Sequence, residues 1–481
     1  MEHKKTDLFR VIKNTIALFG NKVFTGVINL IFISYVARYL SRDGFGMFST
    51  ILAFLTFANI FADFGLSTVI TREIAKDKTK AQELYGNSIF LSMGFSLLAW
   101  IGMVLFAVYL GYPKQLIFLI VLAGSTIFFN SAISRLTAVL SGFEKMEIFS
   151  VVGVVLSAFF TILGILFLRL GLNLGGMILL MILGTGITSL VLFYIVQKDF
   201  VKFKPRFDLK IVNSLLKQAF PLFSLIGLSI LLRRMDIVML SKMKTMQDVG
   251  IYGVAVQLNE ALGVVTGCFM GAMLPFISSQ SKSSLENTYP IYLKSMRVMI
   301  IFSSFFTVAL FLLSGQIVPF VFGKEFALSS QVFRILIWSF LLNHFAGPMG
   351  LFLIVQKEKL KILMVGSLII ICANFVLNLI LIPQYGYLGA SAATVFCGFL
   401  VLVMKSRLFR ESFKNSPTLI SLGYKPIFAA ILTGGIIFFM KDMFFLIPFF
   451  VGLFCYTIFL IVLGELKMKK ISEILSFLKS S

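Results

Sequence analysis

The sequence contains few charged residues: only 13% of its 481 residues are Asp, Glu, Lys or Arg. A soluble globular protein needs about a quarter to cover a water-facing surface. Cysteine is also scarce, with four residues and no C-x-x-C pair, so disulfide bridges do not organise the fold. These shortages exclude a soluble enzyme, a disordered chain and a disulfide-stabilised secreted domain.

The residues of common catalytic centres are missing as well. Only two histidines occur, His3 near the N-terminus and His344 within an apolar run, so histidine cannot assemble a zinc site. The sequence has no G-x-x-x-x-G-K-[S/T] phosphate loop, which disfavours ATP hydrolysis. We therefore predict no enzymatic activity, no metal and no cofactor.

Apolar residues dominate instead. They make up 58% of the chain, Phe alone contributes 55 residues, and the mean hydropathy is +0.97. A helix needs about 20 apolar residues to cross the hydrocarbon core, and no run alternates like a barrel strand. The sequence thus predicts an all-α polytopic membrane protein with fourteen spans. The spans lie near residues 14–37, 46–70, 84–108, 116–134, 148–168, 174–196, 218–240, 250–277, 298–322, 335–355, 362–382, 387–404, 426–440 and 444–464.

The basic residues predict the orientation in the membrane. With the N-terminus inside, the inward segments hold 31 of the 43 Lys and Arg residues, the outward loops hold nine, and three lie within spans. This distribution follows the positive-inside rule, so both termini are expected in the cytoplasm and the protein in the cytoplasmic membrane. The net charge of +22 then serves as an insertion signal and attracts anionic lipid headgroups. We predict no nucleic-acid partner.

Similar turns recur six spans apart on the same side of the membrane. Residues 42–48 (RDGFGMF) correspond to residues 247–252 (QDVGIY), and residues 171–176 correspond to residues 386–390. Because six is even, the halves are parallel repeats related by an axis along the membrane normal. We predict an N-terminal lobe (1–196), a linker (197–217), a C-terminal lobe (218–404) and a region with two accessory spans and a tail (405–481).

Short segments spread over most of the chain resemble one family. They are residues 37–46 (ARYLSRDGFG), 63–67 (DFGLS), 71–73 (TRE), 141–146 (SGFEKM), 249–252 (VGIY) and 385–390 (YGYLGA). Their order and spacing resemble the polysaccharide branch of the MOP (multidrug/oligosaccharidyl-lipid/polysaccharide) exporter superfamily, the Wzx-type flippases.

This resemblance implies a function by alternating access between two lobes. The expected substrate is an isoprenoid-pyrophosphate-linked oligosaccharide, moved from the inner to the outer leaflet for O-antigen-like surface polysaccharide, with membrane lipids and polysaccharide polymerase machinery as partners. Two alternatives share the fold: a cation-coupled multidrug antiporter and a peptidoglycan-precursor flippase. A third, a lipid-linked-sugar polymerase or ligase, is disfavoured because the outward loops are short.

Basic residues in or near the spans are the candidates for binding the pyrophosphate. Ionisable groups inside a span are costly and usually face a partner or a wet cavity. Lys22 shares a polar helix face with Thr25, Gly26 and Asn29, so it either lines a cavity or snorkels to the interface. The other candidates are Arg72, Arg135, Arg233 and Arg234. For Arg72 and Arg135 the alternative is anchoring of helix ends, and Arg233 can instead neutralise Asp236 three residues later.

Acidic residues in the spans are candidates for coupling to a cation, H⁺ or Na⁺. Glu260 lies near mid-membrane, where desolvation favours proton binding, and a buried ion pair is the alternative. Asp236 and Asp63 are the other two candidates, and for Asp63, one turn before the inner loop, the alternative is a polar group at a helix end. His344 next to Asn343 is expected to be hydrogen-bonded within the packed span.

Overall fold

The computed structural model describes the backbone of residues 2–171, 173–204, 207–280, 285–413 and 419–466. Side chains are described from residue 24 onward, apart from residues 265, 268, 271–288, 290, 291, 354, 355, 357 and 420 within those ranges.

Helices account for the secondary structure of the described ranges. They are α1 (Glu2–Asp63), α2 (Leu66–Lys76), α3 (Ala81–Tyr109), α4 (Lys114–Gly124), α5 (Thr126–Gly142), α6 (Met146–Arg169), α7 (Leu174–Asp199), α8 (Leu209–Met243), α9 (Met246–Gln280), α10 (Leu285–Phe322), α11 (Ser329–Val355), α12 (Lys357–Ser412), α13 (Leu419–Phe439) and α14 (Leu446–Val462).

Two of these helices contain two membrane crossings each. The apolar segments 24–76 and 358–412 are far longer than one crossing requires. The backbone leaves the helical region at Ser41 (φ 61°) within α1 and at Gly386 (φ 56°) within α12, and both positions fall in turns predicted from the sequence.

The remaining crossings are made by single helices or by two helices in succession. Helix α2 continues the second crossing, and α4 and α5 form one crossing with a break at Ser125. Helix α9 coincides with the eighth predicted span, and α14 coincides with the last. The described chain therefore makes fourteen crossings. The fourteen-span all-α prediction is confirmed.

Polar side chains begin several of the helices. Asn173 precedes α7, and its side-chain oxygen accepts hydrogen bonds from the backbone amides of Gly175 and Gly176. Asp208 accepts from the amide of Lys210 at the start of α8. Because the first amides of a helix have no partner within it, such caps fix where each crossing starts.

The chain divides into two compact units. The first contains residues 1–253 and 367–390, and the second contains residues 254–366 and 391–481. The predicted lobes 1–196 and 218–404, and the separate region 405–481, remain predictions.

Each unit has its own packed core. In the first, α1 packs on α3, α6 and α8, and Leu66 and Ile70 of α2 join Val139 and Leu140 of α5 in an apolar core. In the second, α10 packs on α11 and α13, and α13 packs on α14.

Within the first unit, the repeated turns around residues 42–48 and 247–252 pack on each other through glycine. A Cβ atom at Gly46 would lie 1.9 Å from the carbonyl oxygen of Met246, and one at Gly250 would lie 2.2 Å from that of Arg42. The contacts are reciprocal, since each glycine faces the carbonyl four residues before the other. We call this arrangement the glycine contact. Only glycine permits so close an approach of two backbones.

The glycine contact predicts a difference between two glycine substitutions. Gly46→Ala should lower the thermal unfolding temperature of the detergent-purified protein, because the added methyl group collides with a backbone carbonyl. Gly94→Ala in α3 is the control: its Cβ has open space, and a helical Gly→Ala change is worth about 0.5–1 kcal/mol in favour of folding. Equal unfolding temperatures for the two variants would contradict the predicted role of Gly46.

Candidate functional site

The break between α1 and α2 is held by the side chain of Asp63. Phe64 (φ 49°) and Gly65 (φ 74°) both adopt left-handed backbone conformations, which reverse the helical path before Leu66 resumes it. One carboxylate oxygen of Asp63 accepts hydrogen bonds from the Gly65 amide (3.1 Å) and the Ser67 hydroxyl (2.9 Å). Asp63 therefore stabilises the turn that leads into the second half of this crossing.

The other carboxylate oxygen of Asp63 is paired with Arg135 of α5. The Nη2 atom of Arg135 donates to Asp63 Oδ1 at 2.8 Å and to the backbone oxygen of Asp63 at 3.0 Å. Arg135 is fully buried, whereas the Asp63 side chain keeps 23% of its surface exposed. Because a buried arginine needs a counter-charge, this geometry favours helix anchoring over capture of a headgroup for Arg135.

A cavity of about 290 Å³ lies beside this ion pair, between α1 and α8. Its α1 wall contains a polar stripe of Thr56, Asn59 and Asp63 at helical spacing. Its α8 wall contains Phe223, Ile226 and Ile230 at the same spacing. Ile60 and Gly65 complete the lining. The cavity thus has one polar and one apolar wall.

Two predicted cations, Arg72 of α2 and Arg233 of α8, lie at different levels along α8. Arg72, half exposed, donates a hydrogen bond to the side chain of Gln218 on α8. Arg233 follows Ile230 by three residues and therefore shares the face of α8 that lines the cavity. Gln218 and Arg233 are fifteen residues apart, about 22 Å along the axis. A single pyrophosphate cannot bridge them in this conformation.

Arg233 and Asp236 differ sharply in their surroundings. Arg233 is exposed, and no hydrogen bond or ion pair joins it to any other residue that the structure describes. Asp236 is buried, and accepts hydrogen bonds from the Tyr252 hydroxyl and from the amide of Ile237 (3.0 Å). Mutual neutralisation of Arg233 and Asp236 is therefore not what this structure shows. Arg234 is half-buried.

The remaining candidates lie elsewhere. Glu260 belongs to the second unit, where it is half-buried on α9, and its neighbour Asn259 donates to the Ser339 hydroxyl at 3.3 Å. His344 is buried, with one ring nitrogen 2.6 Å from the Thr266 hydroxyl and the other 2.6 Å from the Phe340 carbonyl, as expected for a structural histidine. The side chain of Lys22 lies outside the described residues.

Sequence reasoning missed several residues of the cavity. Thr56 and Asn59 precede Asp63 by seven and four residues, so a search for polar periodicity within the second predicted span would have found this stripe. No comparable signal marks Phe223, because one phenylalanine among 55 is not distinctive. Gln218 is recognisable only through its contact with Arg72.

Comparison with solved structures places the chain in a known fold. A lipid II flippase, MurJ, in an inward closed conformation superimposes with a TM-score of 0.75 at 17% identity, covering 93% of this chain and 99% of that one. A multidrug resistance MATE family transporter of the MOP superfamily, inward-facing, gives 0.65 at 17% identity, covering 82% and 96%. A MOP superfamily transporter from Pyrococcus furiosus, described as having a binding pocket of reversed polarity, gives 0.58 at 16% identity, covering 84% and 96%.

The chain therefore shares the fold of these solved transporters. The polysaccharide biosynthesis protein family matches residues 11–281, more than half of the sequence, and the chain belongs to that family. The resemblance noted from the sequence motifs is confirmed. No curated protein matches the chain.

The Asp63–Arg135 ion pair predicts a graded effect on stability. Arg135→Leu should lower the free energy of unfolding by about 3–5 kcal/mol, because it leaves Asp63 without its counter-charge. Arg72→Leu is the matched control and should cost about 0.5 kcal/mol or less, since Arg72 is half exposed. Denaturant unfolding in detergent measures both.

The double variant Asp63→Asn, Arg135→Leu separates the charge effect from general disruption. It should be more stable than Arg135→Leu alone, because the amide oxygen can still accept hydrogen bonds from the Gly65 amide and the Ser67 hydroxyl, and no unpaired charge remains. If the loss of unfolding free energy in the double variant equals the sum of the losses in Asp63→Asn and Arg135→Leu, the two side chains are not coupled as described.

Proposed function

We propose that the protein is a flippase for isoprenoid-pyrophosphate-linked oligosaccharides in the assembly of surface polysaccharide. It would move its substrate from the inner to the outer leaflet of the cytoplasmic membrane by alternating access. The observation that carries this proposal is the exposed Arg233, which has no partner among the described residues and shares a helix face with an adjoining cavity. A cation in that position within a span favours an anionic ligand.

Arginine suits the diphosphate part of such a substrate. Its planar guanidinium can donate two parallel hydrogen bonds to one phosphate group. Lys22, in the first predicted span, and Arg234 would add charge near the same ligand. Arg72 would act at a different stage, as a first contact for the headgroup, because its partner Gln218 lies about 22 Å from Arg233 along α8.

The proposed direction of transport agrees with the placement of open and closed regions in the first unit. From the glycine contact, α1 runs to the cavity that reaches Asp63 and Gly65. With both termini in the cytoplasm, as the basic residues predict, the glycine contact lies at the outer end and the cavity towards the inner end. The glycine contact would then have to separate before the substrate could leave outward.

Transport coupled to H⁺ or Na⁺ would use a carboxylate within the spans. Asp63, Asp236 and Glu260 are the candidates, and the first two already accept hydrogen bonds from neighbouring helices or turns. Protonation of either would weaken those contacts, which links a coupling ion to helix packing. Polysaccharide polymerase machinery would take up the product on the outer side.

The multidrug antiporter is the second candidate function. The MATE fold similarity and a carboxylate beside Phe223 in the cavity favour it. The ion pair between Arg135 and Asp63 counts against it, because the pair as a whole has no net charge and so attracts a cationic drug only weakly.

A binding comparison tests the proposal. Purified wild-type protein should bind a polyprenyl diphosphate at least tenfold more tightly than the same polyprenol without phosphates, a difference of about 1.4 kcal/mol. Arg233→Ala should lose most of this preference, and the Lys22→Ala, Arg233→Ala double variant should lose all of it. Arg407→Ala, an exposed arginine of the second unit, should behave as wild type.

Two results would contradict the proposal. The first is equal binding of the two lipids by wild-type protein, together with binding of organic cations. The second is full polysaccharide display in cells whose only copy carries both alanine substitutions at normal protein levels.

A further inference from the structure

The cavity between α1 and α8 has a lining that suits neither a phosphate nor a cation. We propose that it binds one neutral sugar ring of the substrate, held by the polar stripe of Thr56, Asn59 and Asp63 and packed against Phe223. This inference rests on the proposed function, because it assigns the sugar next to the diphosphate to a defined subsite.

The polar wall presents acceptors of hydrogen bonds. The amide nitrogen of Asn59 already donates to the Leu55 carbonyl at 2.8 Å, and the Thr56 hydroxyl donates to the Leu52 carbonyl at 2.7 Å. What remains for a ligand is the Asn59 amide oxygen, the second N–H of the same amide, the lone pairs of Thr56 and the carboxylate of Asp63, so hydrogen-bond acceptors predominate. A fully ionised phosphate has no donor to offer such a wall, whereas each sugar hydroxyl has one.

The negative charge of Asp63 on this wall is compensated by an arginine outside the cavity. Arg135 pairs with Asp63 at 2.8 Å but is itself fully buried and does not line the cavity. A ligand therefore meets a carboxylate whose charge is largely neutralised by a cation it cannot touch. Since an organic cation would gain little from such a site, a neutral polyhydroxylated ring is the better match.

The apolar wall is rigid and partly aromatic. The ring of Phe223 stacks on Phe64 at 4.4 Å between centroids and 17° between planes, and Phe64 stacks on Phe95 at 4.7 Å and 22°. This stack fixes the position of Phe223, while Ile226 and Ile230 extend the wall along α8. The C–H face of a sugar ring carries partial positive charge, which suits the negative face of an aromatic ring.

Size and position agree with one ring next to the diphosphate. A volume of about 290 Å³ lies at the lower limit of small-molecule sites, which are roughly 300–1,000 Å³, so a whole oligosaccharide does not fit. Arg233 lies three residues beyond Ile230, about 4.5 Å along the helix axis. A diphosphate held by Arg233 would therefore place the sugar attached to it at the mouth of the cavity.

The test compares a polyprenyl diphosphate with the same lipid carrying a single hexose on its terminal phosphate, titrated against the full-length purified protein. Wild-type protein should bind the glycosylated lipid about tenfold more tightly. Phe223→Leu removes the ring but keeps an apolar side chain, and Asn59→Leu removes the amide at similar volume. Each should reduce the preference to about twofold or less while leaving the affinity for the bare diphosphate lipid unchanged.

Controls separate this subsite from the proposed function. Phe118→Ala, at an exposed phenylalanine of α4, should keep the wild-type preference, and thermal unfolding confirms that each variant is folded. Arg233→Ala should weaken binding of both lipids by a similar factor. The subsite is overturned if wild-type protein shows no preference for the sugar, or if folded Phe223→Leu and Asn59→Leu variants keep it. If Arg233→Ala leaves both affinities unchanged, the proposed diphosphate site fails instead.

Discussion

The buried ion pair between Arg135 and Asp63 is the interaction on which the rest of the first unit depends. Its carboxylate has three roles: it neutralises Arg135, holds the turn before α2 through Gly65 and Ser67, and forms part of the cavity wall. A charge inside a membrane protein is tolerated only where such partners surround it. The position of α2, and with it the position of Arg72, follows from this arrangement.

The sequence predicted the fold well because hydropathy and turn motifs act locally. Fourteen spans followed from apolar runs, and the two long helices bend at Ser41 and Gly386, inside turns that the sequence had marked. The repeated turns were also recognised, but their mutual contact through Gly46 and Gly250 was not. A repeat shows that two segments are alike; it carries no information that they touch.

The candidate site was harder to predict, because helical periodicity tells which residues share a face but not which helix that face meets. Arg72, Arg135 and Arg233 were grouped by charge, yet one contacts Gln218, one is buried against Asp63, and one is exposed. Their separation arises from packing between α1, α5 and α8, which no single-helix pattern encodes. Phe223 likewise gains its significance only from the rings stacked behind it.

Arg135 and Arg233 differ in their surroundings although both belong to the same unit, and the proposed function gives one a structural role and the other a binding role. Arg135 is paired with the carboxylate of Asp63 at 2.8 Å and is fully buried, so it stabilises the fold and does not contact a ligand. Arg233 retains its hydrogen-bonding capacity on the face that adjoins the cavity. Under the proposed function, an acceptor-lined cavity next to a cation would also orient the substrate: the diphosphate would be drawn to Arg233, while sugar hydroxyl groups would find hydrogen-bond acceptors on the polar wall. Recognition of a polar headgroup in a fixed direction would then follow from the charge of Arg233 and the lining of the cavity, without any contact to the isoprenoid chain.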